Sequence, residues 1–243
     1  MIYKSAAISI LLFLFSSQLF SQSTMITTPL ALTYKIRQSN LTNGRPPLLI
    51  LLHGIGSNEE DLFSFSNQLP ANLLVVSVRA PYTIGNGSYS WFDVDRSSGT
   101  PIINPEQAEQ SRLTLLKFIS QAVDQFHADP QKVFLIGFSQ GAIMSYSVAL
   151  TMPHLVKGIV AMSGRILPQI NSLIASKAAL SSLHIMIAHG TKDPVIDISN
   201  AKAAVELCTS LQVKLSYQTY DAAHQVTQQE LADIVSWLNK LLA

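Results

Sequence analysis

Ser139 lies at the centre of the pattern that points most directly to chemistry in this chain. The sequence reads GFSQG from 137 to 141, which is the G-x-S-x-G pattern of a serine nucleophile held in a sharp turn. An apolar run typical of a strand covers 133–138, and a helical pattern covers 141–150. Such a turn strains the backbone and lifts the serine hydroxyl clear of the sheet. We therefore predict a nucleophile at Ser139, the alternative being an ordinary strand-to-helix turn.

A serine hydroxyl needs a base to take its proton and a carboxylate to orient that base. Among the six histidines, His224 follows the last strand-like run, and Asp193 follows the strand-like run at 185–188. The chain order Ser139, Asp193, His224 is the order found in α/β-hydrolases. We predict these three as the catalytic residues.

Two other acids are alternatives to Asp193. Asp197 comes after Pro194, where the next helix is expected to begin. Asp221 is only three residues before His224 in the chain, which favours a local loop or capping role over a contact with the imidazole ring. We therefore keep Asp193 as the predicted acid.

An oxyanion that forms during acyl transfer needs two N–H donors. We predict the backbone N–H of Gln140, which follows the nucleophile, as one donor. The loop after the run 48–52 begins HGIG, and we predict the N–H of Ile55 as the other. We interpret His53 as a residue that shapes this loop and not as the base, since it precedes Ser139 in the chain.

These residues must be positioned by alternating strands and helices. Alternation of this kind predicts an α/β fold with a mostly parallel central sheet and helices on both faces, over 30–243 as one domain. The order of the three catalytic candidates favours the α/β-hydrolase fold within this class. The strand-like runs are 48–52, 73–78, 133–138, 158–162, 185–188 and 213–217, and the helical patterns are 106–126, 141–150 and 228–242.

The connections between these elements bear on access to the site. The segment 82–105, rich in Gly, Ser and Asn, is the longest irregular stretch and a candidate wall of the site. Only about twenty residues separate Ser163 from His184, so no large cap domain is expected. We therefore expect an open cleft.

The N-terminus has the features of a secretory signal over 1–21. Lys4 precedes an apolar run at 6–15, and Ser21 is a small residue at a plausible cleavage point. The apolar run is shorter than the ~20 residues of a membrane span, and the alternative is a buried N-terminal helix. We expect 22–29 to be a short N-terminal segment and the protein to be exported, either to the periplasm or outside the cell, without a stable membrane anchor.

Composition excludes several classes of function. The chain of 243 residues has 16 Lys and Arg against 15 Asp and Glu, a net charge of +1, and no basic run, which argues against a nucleic-acid partner. No metal is expected, because the histidines are scattered and Cys208 is the only cysteine. No cofactor is expected either, because glycine-rich nucleotide-binding patterns are missing from the sequence. Cys208 lies in a helix-like apolar stretch and is interpreted as a core residue.

Taken together, the motifs resemble the phospholipase/carboxylesterase family of α/β-hydrolases, which includes the acyl-protein thioesterases. The resemblance rests on LHGIG, RAP at 79–81, SWFD at 90–93, GFSQGA and HGTKDPVI, followed by a late histidine. It implies ester hydrolysis with the three residues above, and it implies that Trp91 lines the substrate cleft. The sequence departs from the family at Ala223, where glycine is common.

The expected function is that of a serine carboxylesterase that hydrolyses small or aryl esters through an acyl-enzyme intermediate. A thioesterase and an esterase for acyl groups on polysaccharides (feruloyl or acetyl) are the alternatives. A non-catalytic binding protein on a hydrolase scaffold is a more remote one. The expected partner is a small-molecule ester, and the oligomeric state is left open.

Overall fold

The structure is a computed structural model that describes residues 30–97 and 101–243. The predicted signal segment 1–21 and the short segment 22–29 lie outside the described residues. Within the described residues, no helix has the length and apolar character that crossing a membrane requires.

The described chain alternates strands with helices, as predicted. The strands are β1 (Tyr34–Arg37), β2 (Leu48–Leu52), β3 (Leu74–Val78), β4 (Tyr82–Gly85), β5 (Ser88–Ser90), β6 (Val94–Asp95), β7 (Ile102–Ile103), β8 (Val133–Phe138), β9 (Gly158–Met162), β10 (His184–Gly190) and β11 (Lys214–Tyr220). The α-helices are α1 (Pro105–Gln125), α2 (Gln140–Thr151), α3 (Lys177–Leu180), α4 (Ser199–Ser210) and α5 (Gln228–Leu242). Short 3₁₀ helices cover Leu62–Gln68, Pro153–Leu155 and Pro168–Leu173.

Seven of these strands form the central sheet, in the order β1-β3-β2-β8-β9-β10-β11. Every neighbouring pair is parallel except β1 with β3, which is antiparallel. The predicted fold class is confirmed. The edge strand β1 was not predicted, because its sequence YKIR has no apolar run and three of its four residues are only half-buried.

Helices cover both faces of the sheet because its central strands are apolar on both sides. Leu48, Ile50 and Leu52 of β2 pack in the cluster that contains α1, α2 and α4. Leu49 and Leu51 pack in the opposite cluster, with α5 and the first 3₁₀ helix. Helix α2 is buried along its whole length, so packing on all sides holds its first residue, Gln140, in position.

Cys208 lies in the core, as predicted. It is fully buried in α4, and burial raises the pKa of its thiol to about 12. A thiol with so little thiolate is a poor nucleophile, so Cys208 packs as a small apolar residue.

The segment 82–105 is more regular than the sequence suggested. Strands β4 and β5 pair as one hairpin and β6 and β7 as another. No cap domain is evident in the part of the chain that the structure describes, since β9 and β10 are joined by one 3₁₀ helix and the single-turn helix α3. The expectation of a fold without a large cap is confirmed.

Candidate active site

The predicted strand-to-helix turn carries Ser139 in a strained conformation. Its φ is 53° and its ψ is −115°, a region that non-glycine residues rarely adopt. A Cβ at Gly137 would lie 2.2 Å from the carbonyl oxygen of Gly141, and one at Gly141 would lie 1.9 Å from that of Leu52. Both glycines are therefore required for the turn to close, and the N–H of Ser139 anchors it by donating to Met162 O over 2.9 Å.

His224 lies between Ser139 and Asp193. Its Nε2 is 3.0 Å from Ser139 Oγ, and its Nδ1 is 2.7 Å from Asp193 Oδ2. The imidazole packs against the ring of Phe138, with 4.8 Å between ring centroids. The structure thus brings together the three predicted side chains, from the ends of three different strands, in one hydrogen-bonded chain. Such a chain can move a proton from the hydroxyl to the imidazole.

The carboxylate of Asp193 is buried but fully hydrogen-bonded. Its Oδ1 accepts from the N–H groups of Val195 at 2.8 Å and Ile196 at 2.9 Å, while Oδ2 faces His224. Burial raises the pKa of Asp193, but the hydrogen bonds from His224, Ile196 and Val195 outweigh burial and leave the pKa below its usual value. Asp193 is therefore ionised and can stabilise an imidazolium on His224.

A second histidine, His189, stabilises the turn that contains Asp193. Its Nε2–H donates to Ile196 O over 2.7 Å, and the same nitrogen lies 3.5 Å from Asp193 Oδ2. The ring is buried, and its Nδ1 has no partner among the described residues. The sequence prediction missed this contact, although the position of His189 at the end of β10 could have suggested it.

The loops that carry Asp193 and His224 are joined by their backbones. Lys192 N donates to Ala222 O over 2.9 Å, and a Cβ at Gly190 would lie 2.4 Å from the same oxygen. Ala223, the departure from the family pattern, is exposed and is not among the described residues with positive φ. Alanine at 223 therefore leaves the loop unstrained.

Neither alternative acid contacts His224. Asp197 is exposed and accepts a hydrogen bond from Ser199 N at the start of α4. Asp221 forms an exposed ion pair with Lys192, with 2.6 Å between the charged atoms. The local roles expected for both residues agree with these contacts.

The two predicted oxyanion donors border the cleft beside Ser139. The N–H of Gln140 is the first of α2 and has no acceptor within the helix. The N–H of Ile55 donates to no described residue, whereas that of its neighbour Gly56 donates to Tyr89 O. Both residues line the cleft, so both N–H groups are free to donate hydrogen bonds to an oxyanion.

His53 is held away from acid–base chemistry, as expected. Its Nε2 accepts from Ala80 N at 3.0 Å and its Nδ1–H donates to Gly54 O at 2.7 Å. This pairing requires the neutral ring, and burial lowers the pKa of His53. His53 therefore fixes the loop that contains Ile55.

The expectation that Trp91 lines the cleft is wrong. Trp91 is 0% exposed, and its Nε1–H donates to His53 O over 2.9 Å. The residue that faces the cleft is the next one, Phe92. The two rings are adjacent in the chain and both nearly fully buried, so the motif alone did not show which of them borders the cleft.

The side chain of Gln140 has a role that the sequence prediction missed. Its Oε1 accepts from Trp91 N at 2.9 Å, and its Nε2 donates to Phe92 O at 2.8 Å. One amide thus joins the start of α2 to the segment 82–105. It positions the wall of the cleft relative to Ser139.

The cleft has a volume of about 470 Å³. Its apolar lining comes from several elements, while Arg96 and Arg165 are basic residues on it that were not singled out from the sequence. The segment 82–105 does form one wall, as expected. The lining residues are Gly54, Ile55, Phe92, Val94, Arg96, Pro101, Ile103, Phe138, Ser139, Gln140, Ile143, Arg165, Val195, Ile196, Asp197, Asn200 and His224.

Residues 30–97 and 101–243 contain no group of three or more His, Cys, Asp or Glu side chains placed to hold a metal ion.

A family model described as Phospholipase/Carboxylesterase matches residues 42–242. The chain belongs to this family. The matched range contains every residue of the site described above, and the resemblance inferred from the motifs is confirmed. The family comprises carboxylic-ester and thioester hydrolases, as the names of its members show.

Two relatives differ in the bond that their names specify. Acyl-protein thioesterase 1 of Candida albicans is 29% identical over 214 residues, which cover 80% of this chain and 91% of that protein. Carboxylesterase SOBER1 of Arabidopsis thaliana is 28% identical over 211 residues, which cover 80% of this chain and 90% of that protein. The solved carboxylesterase of Bacillus cereus shares the fold, with a TM-score of 0.75, 24% identity, and coverage of 86% of this chain and 94% of that chain.

Proposed function

We propose that the protein is an exported serine carboxylesterase that hydrolyses small or aryl carboxylic esters through an acyl-enzyme. The observation that carries the proposal is the hydrogen-bonded chain from Ser139 Oγ to His224 Nε2 and from His224 Nδ1 to Asp193. A serine hydroxyl becomes a useful nucleophile when a base lies at this distance and a carboxylate orients the base.

In the first half of the reaction, His224 Nε2 takes the proton of Ser139 Oγ as the oxygen bonds to the carbonyl carbon of the ester. The carbonyl oxygen becomes an oxyanion, which accepts hydrogen bonds from the N–H groups of Ile55 and Gln140. The bond to the alcohol oxygen then breaks, and His224 gives its proton to the departing alcohol. The acyl group remains bonded to Ser139 Oγ.

In the second half, His224 takes a proton from water while the water oxygen bonds to the acyl carbon. The bond to Ser139 Oγ breaks, the oxygen regains a proton from His224, and a carboxylic acid leaves. Asp193, which stays ionised, keeps Nδ1 of His224 protonated throughout and stabilises its positive charge.

The preference for small or aryl esters rests on the shape of the cleft. A volume of about 470 Å³ is in the range of small-molecule sites, and its apolar lining suits an aryl or short alkyl group. The similarity to an acyl-protein thioesterase makes thioester hydrolysis the second candidate, since the same groups can act on either bond. Esters of acetyl or feruloyl groups on polysaccharides are a further candidate, supported by the proposed export.

Substitution of the nucleophile tests the proposal. We expect Ser139→Ala to lower kcat for para-nitrophenyl acetate by about 10⁶-fold, because the hydroxyl and the base act as one unit. A fluorophosphonate probe should label the wild type and not the variant. Ser145→Ala is a matched control, since that hydroxyl is buried in α2, the helix that follows Ser139, and donates to Gly141 O. Activity in Ser139→Ala within tenfold of wild type would exclude Ser139 as the nucleophile. A folded wild type that neither hydrolyses the ester nor takes the label would favour a binding protein.

Two further measurements address the finer parts of the proposal. The kcat/KM values for matched oxygen and sulfur esters distinguish a carboxylesterase from a thioesterase, and we expect the oxygen ester to be at least as good a substrate. Export requires removal of the signal segment 1–21. N-terminal sequencing of protein recovered outside the cytoplasm should therefore begin near residue 22, and an intact Met1 would contradict export by cleavage.

A further inference from the structure

Two guanidinium groups border the cleft without an acidic partner among residues 30–97 and 101–243. Arg165 is half-buried and Arg96 is exposed, and both line the cleft that contains Ser139. Neither makes a hydrogen bond or an ion pair to any residue that the structure describes. Ligand sites hold few polar groups and use them to orient the ligand. A charged group on a largely apolar cleft therefore points to a contact with the ligand.

The other arginines with reduced exposure all have partners. Arg37 donates to the carbonyl oxygens of Pro70 and Leu73. Arg79 donates through Nε to Glu59 over 2.7 Å, and Arg112 donates through Nε to Glu109 over 2.8 Å. Arg165 is thus an exception among the half-buried and buried arginines in the described part of the chain. Its five donors are available to a ligand.

The fold positions the backbone of Arg165 firmly. Arg165 lies three residues after Met162, the last residue of β9, and β9 lies between the strands that lead to Ser139 and Asp193. Ser163 N donates to Ala188 O over 2.9 Å, and a Cβ at Gly164 would lie 2.5 Å from that of Ala142. Arg165 therefore starts from the carboxyl edge of the sheet, where ligands bind in α/β folds.

The charges on the cleft are predominantly positive. Among the described residues, Asp197 is the one acidic side chain on the lining, and the hydrogen-bonded Asp193 lies beneath it. One oxygen of Asp197 already accepts from Ser199 N, and no ion pair joins Asp197 to Arg96 or Arg165 in the described residues. The remaining walls are mainly apolar, with Phe92, Ile103 and Ile143 among them.

We propose that the site prefers esters that carry a carboxylate, bound by Arg165 with assistance from Arg96, while the apolar walls hold the carbon skeleton. The planar fork of a guanidinium matches a carboxylate with two parallel hydrogen bonds. This inference rests on the proposed function, because it names the substrate class of the same site. It goes further by requiring a charge on the substrate that hydrolysis itself does not need.

The test compares charged and neutral esters of nearly equal size. For the acyl side, the pair is the para-nitrophenyl monoester of adipic acid and its methyl ester at the far carboxyl group. For the alcohol side, the pair is para-acetoxybenzoate and para-acetoxybenzamide. We expect wild type to have a higher kcat/KM for the anionic member of at least one pair, by about tenfold to a hundredfold as for hydrogen bonds between charged groups.

Substitution of each arginine should remove this preference selectively. Arg165→Gln should raise KM for the anionic ester about tenfold or more relative to KM for the neutral ester, whose continued hydrolysis also shows that the variant is folded. Arg165→Lys keeps the charge but not the fork, so its effect should be intermediate. Arg96→Gln should raise KM for the anionic ester by a smaller factor, because the side chain of Arg96 is exposed. Arg45→Gln is the matched control, since it removes the same charge from an exposed residue outside the cleft lining.

The outcomes separate this inference from the proposed function. Hydrolysis of the neutral esters with no preference for the anionic ones, or a preference that survives in Arg165→Gln, would overturn the inference alone. Hydrolysis of none of the four esters would overturn both. If Arg165→Gln does not fold, the ratio in wild type and its reduction in Arg165→Lys decide instead, and an unchanged ratio in Arg165→Lys would overturn the inference.

Discussion

Asp193 and Glu230 are both buried carboxylates, only 7% and 3% exposed, but their surroundings favour opposite protonation states. Asp193 accepts two backbone hydrogen bonds and a third from His224, and its pKa is lowered despite burial. Glu230, at the start of α5, accepts from Thr227 N at 3.3 Å. Burial, with the nearby charge of Asp233, raises the pKa of Glu230 to about 7 against the single hydrogen bond.

The comparison shows that donors, not burial, decide whether a buried carboxylate stays charged. In the candidate active site, three donors lower the pKa of Asp193 and keep it ionised at neutral pH. At the helix terminus one long hydrogen bond is not enough, so Glu230 titrates near neutral pH. Removing the charge of Asp193 should therefore affect activity, whereas the protonation of Glu230 near neutral pH should affect the stability of the α5 cap.

The largest expected effect comes from removing the charge of Asp193. Asp193→Asn can still accept from Val195 N and Ile196 N, but its amide would face His224 Nδ1 and favour the wrong tautomer. We expect kcat for para-nitrophenyl acetate to fall by about 10⁴-fold. Asp197→Asn is the matched control and should retain activity. A loss of less than tenfold in Asp193→Asn would show that the charge does not support the reaction.

The next effect is on stability and comes from Glu230. Glu230→Gln keeps an oxygen that can accept from Thr227 N, because glutamine also completes a capping box, but it has no charge to bury. At pH 8 we expect the free energy of unfolding to rise by about 3 kcal/mol, the equivalent of the pKa change, with kcat unaltered. Urea denaturation measures this difference, and a less stable variant at pH 8 would contradict the assignment.

The same residue predicts the sign of a pH dependence. The folded protein holds the Glu230 proton more tightly than the unfolded chain does, since its pKa is raised from 4.5 to about 7. Its contribution is therefore full below about pH 4.5 and is lost as the pH rises through about 7. Asp193 contributes in the opposite direction, with stability lost as the pH falls below its usual pKa. The melting temperature of wild type minus that of Glu230→Gln should fall between pH 5 and 8, and a flat difference would contradict this.

The smallest effect tests the hydrogen bonds of the cap itself. Thr227 Oγ1 accepts from Glu230 N over 3.1 Å, so Thr227→Ala removes one side of the box. We expect a loss of about 1 kcal/mol in the free energy of unfolding and no change in kcat/KM. A loss of activity would mean that the α5 cap and the loop of His224 are coupled, and it would contradict the view that Glu230 and Asp193 act independently.

Much of the fold could be predicted because its signals are local. The bounds of β2, β9 and α5 agree with the sequence pattern, since each is an apolar run or an amphipathic helix with clear ends. Strand β1 escaped prediction because an antiparallel edge strand with half-buried residues has no such run. Its pairing with β3 is a long-range contact.

The candidate site was predictable where residue type implies chemistry and unpredictable where orientation decides. Ser139, Asp193 and His224 stand out by type and by their places after strands. Trp91 and Phe92 are adjacent and both nearly fully buried, and only the three-dimensional structure shows that Phe92 borders the cleft while Trp91 donates to His53 O. Arg165 belongs to none of the motifs recognised in the sequence, although its position just after a strand could have drawn attention to it.

The buried thiol of Cys208 makes this chain convenient for site-specific labelling. It is the only cysteine in the sequence, it is inaccessible, and with a pKa of about 12 only about one thiol in ten thousand is ionised at pH 8. A cysteine introduced at exposed Val195, on the rim of the cleft, would therefore react with a maleimide dye while Cys208 stays silent. A fluorophore placed there would report ligand entry without removal of any native residue from the core.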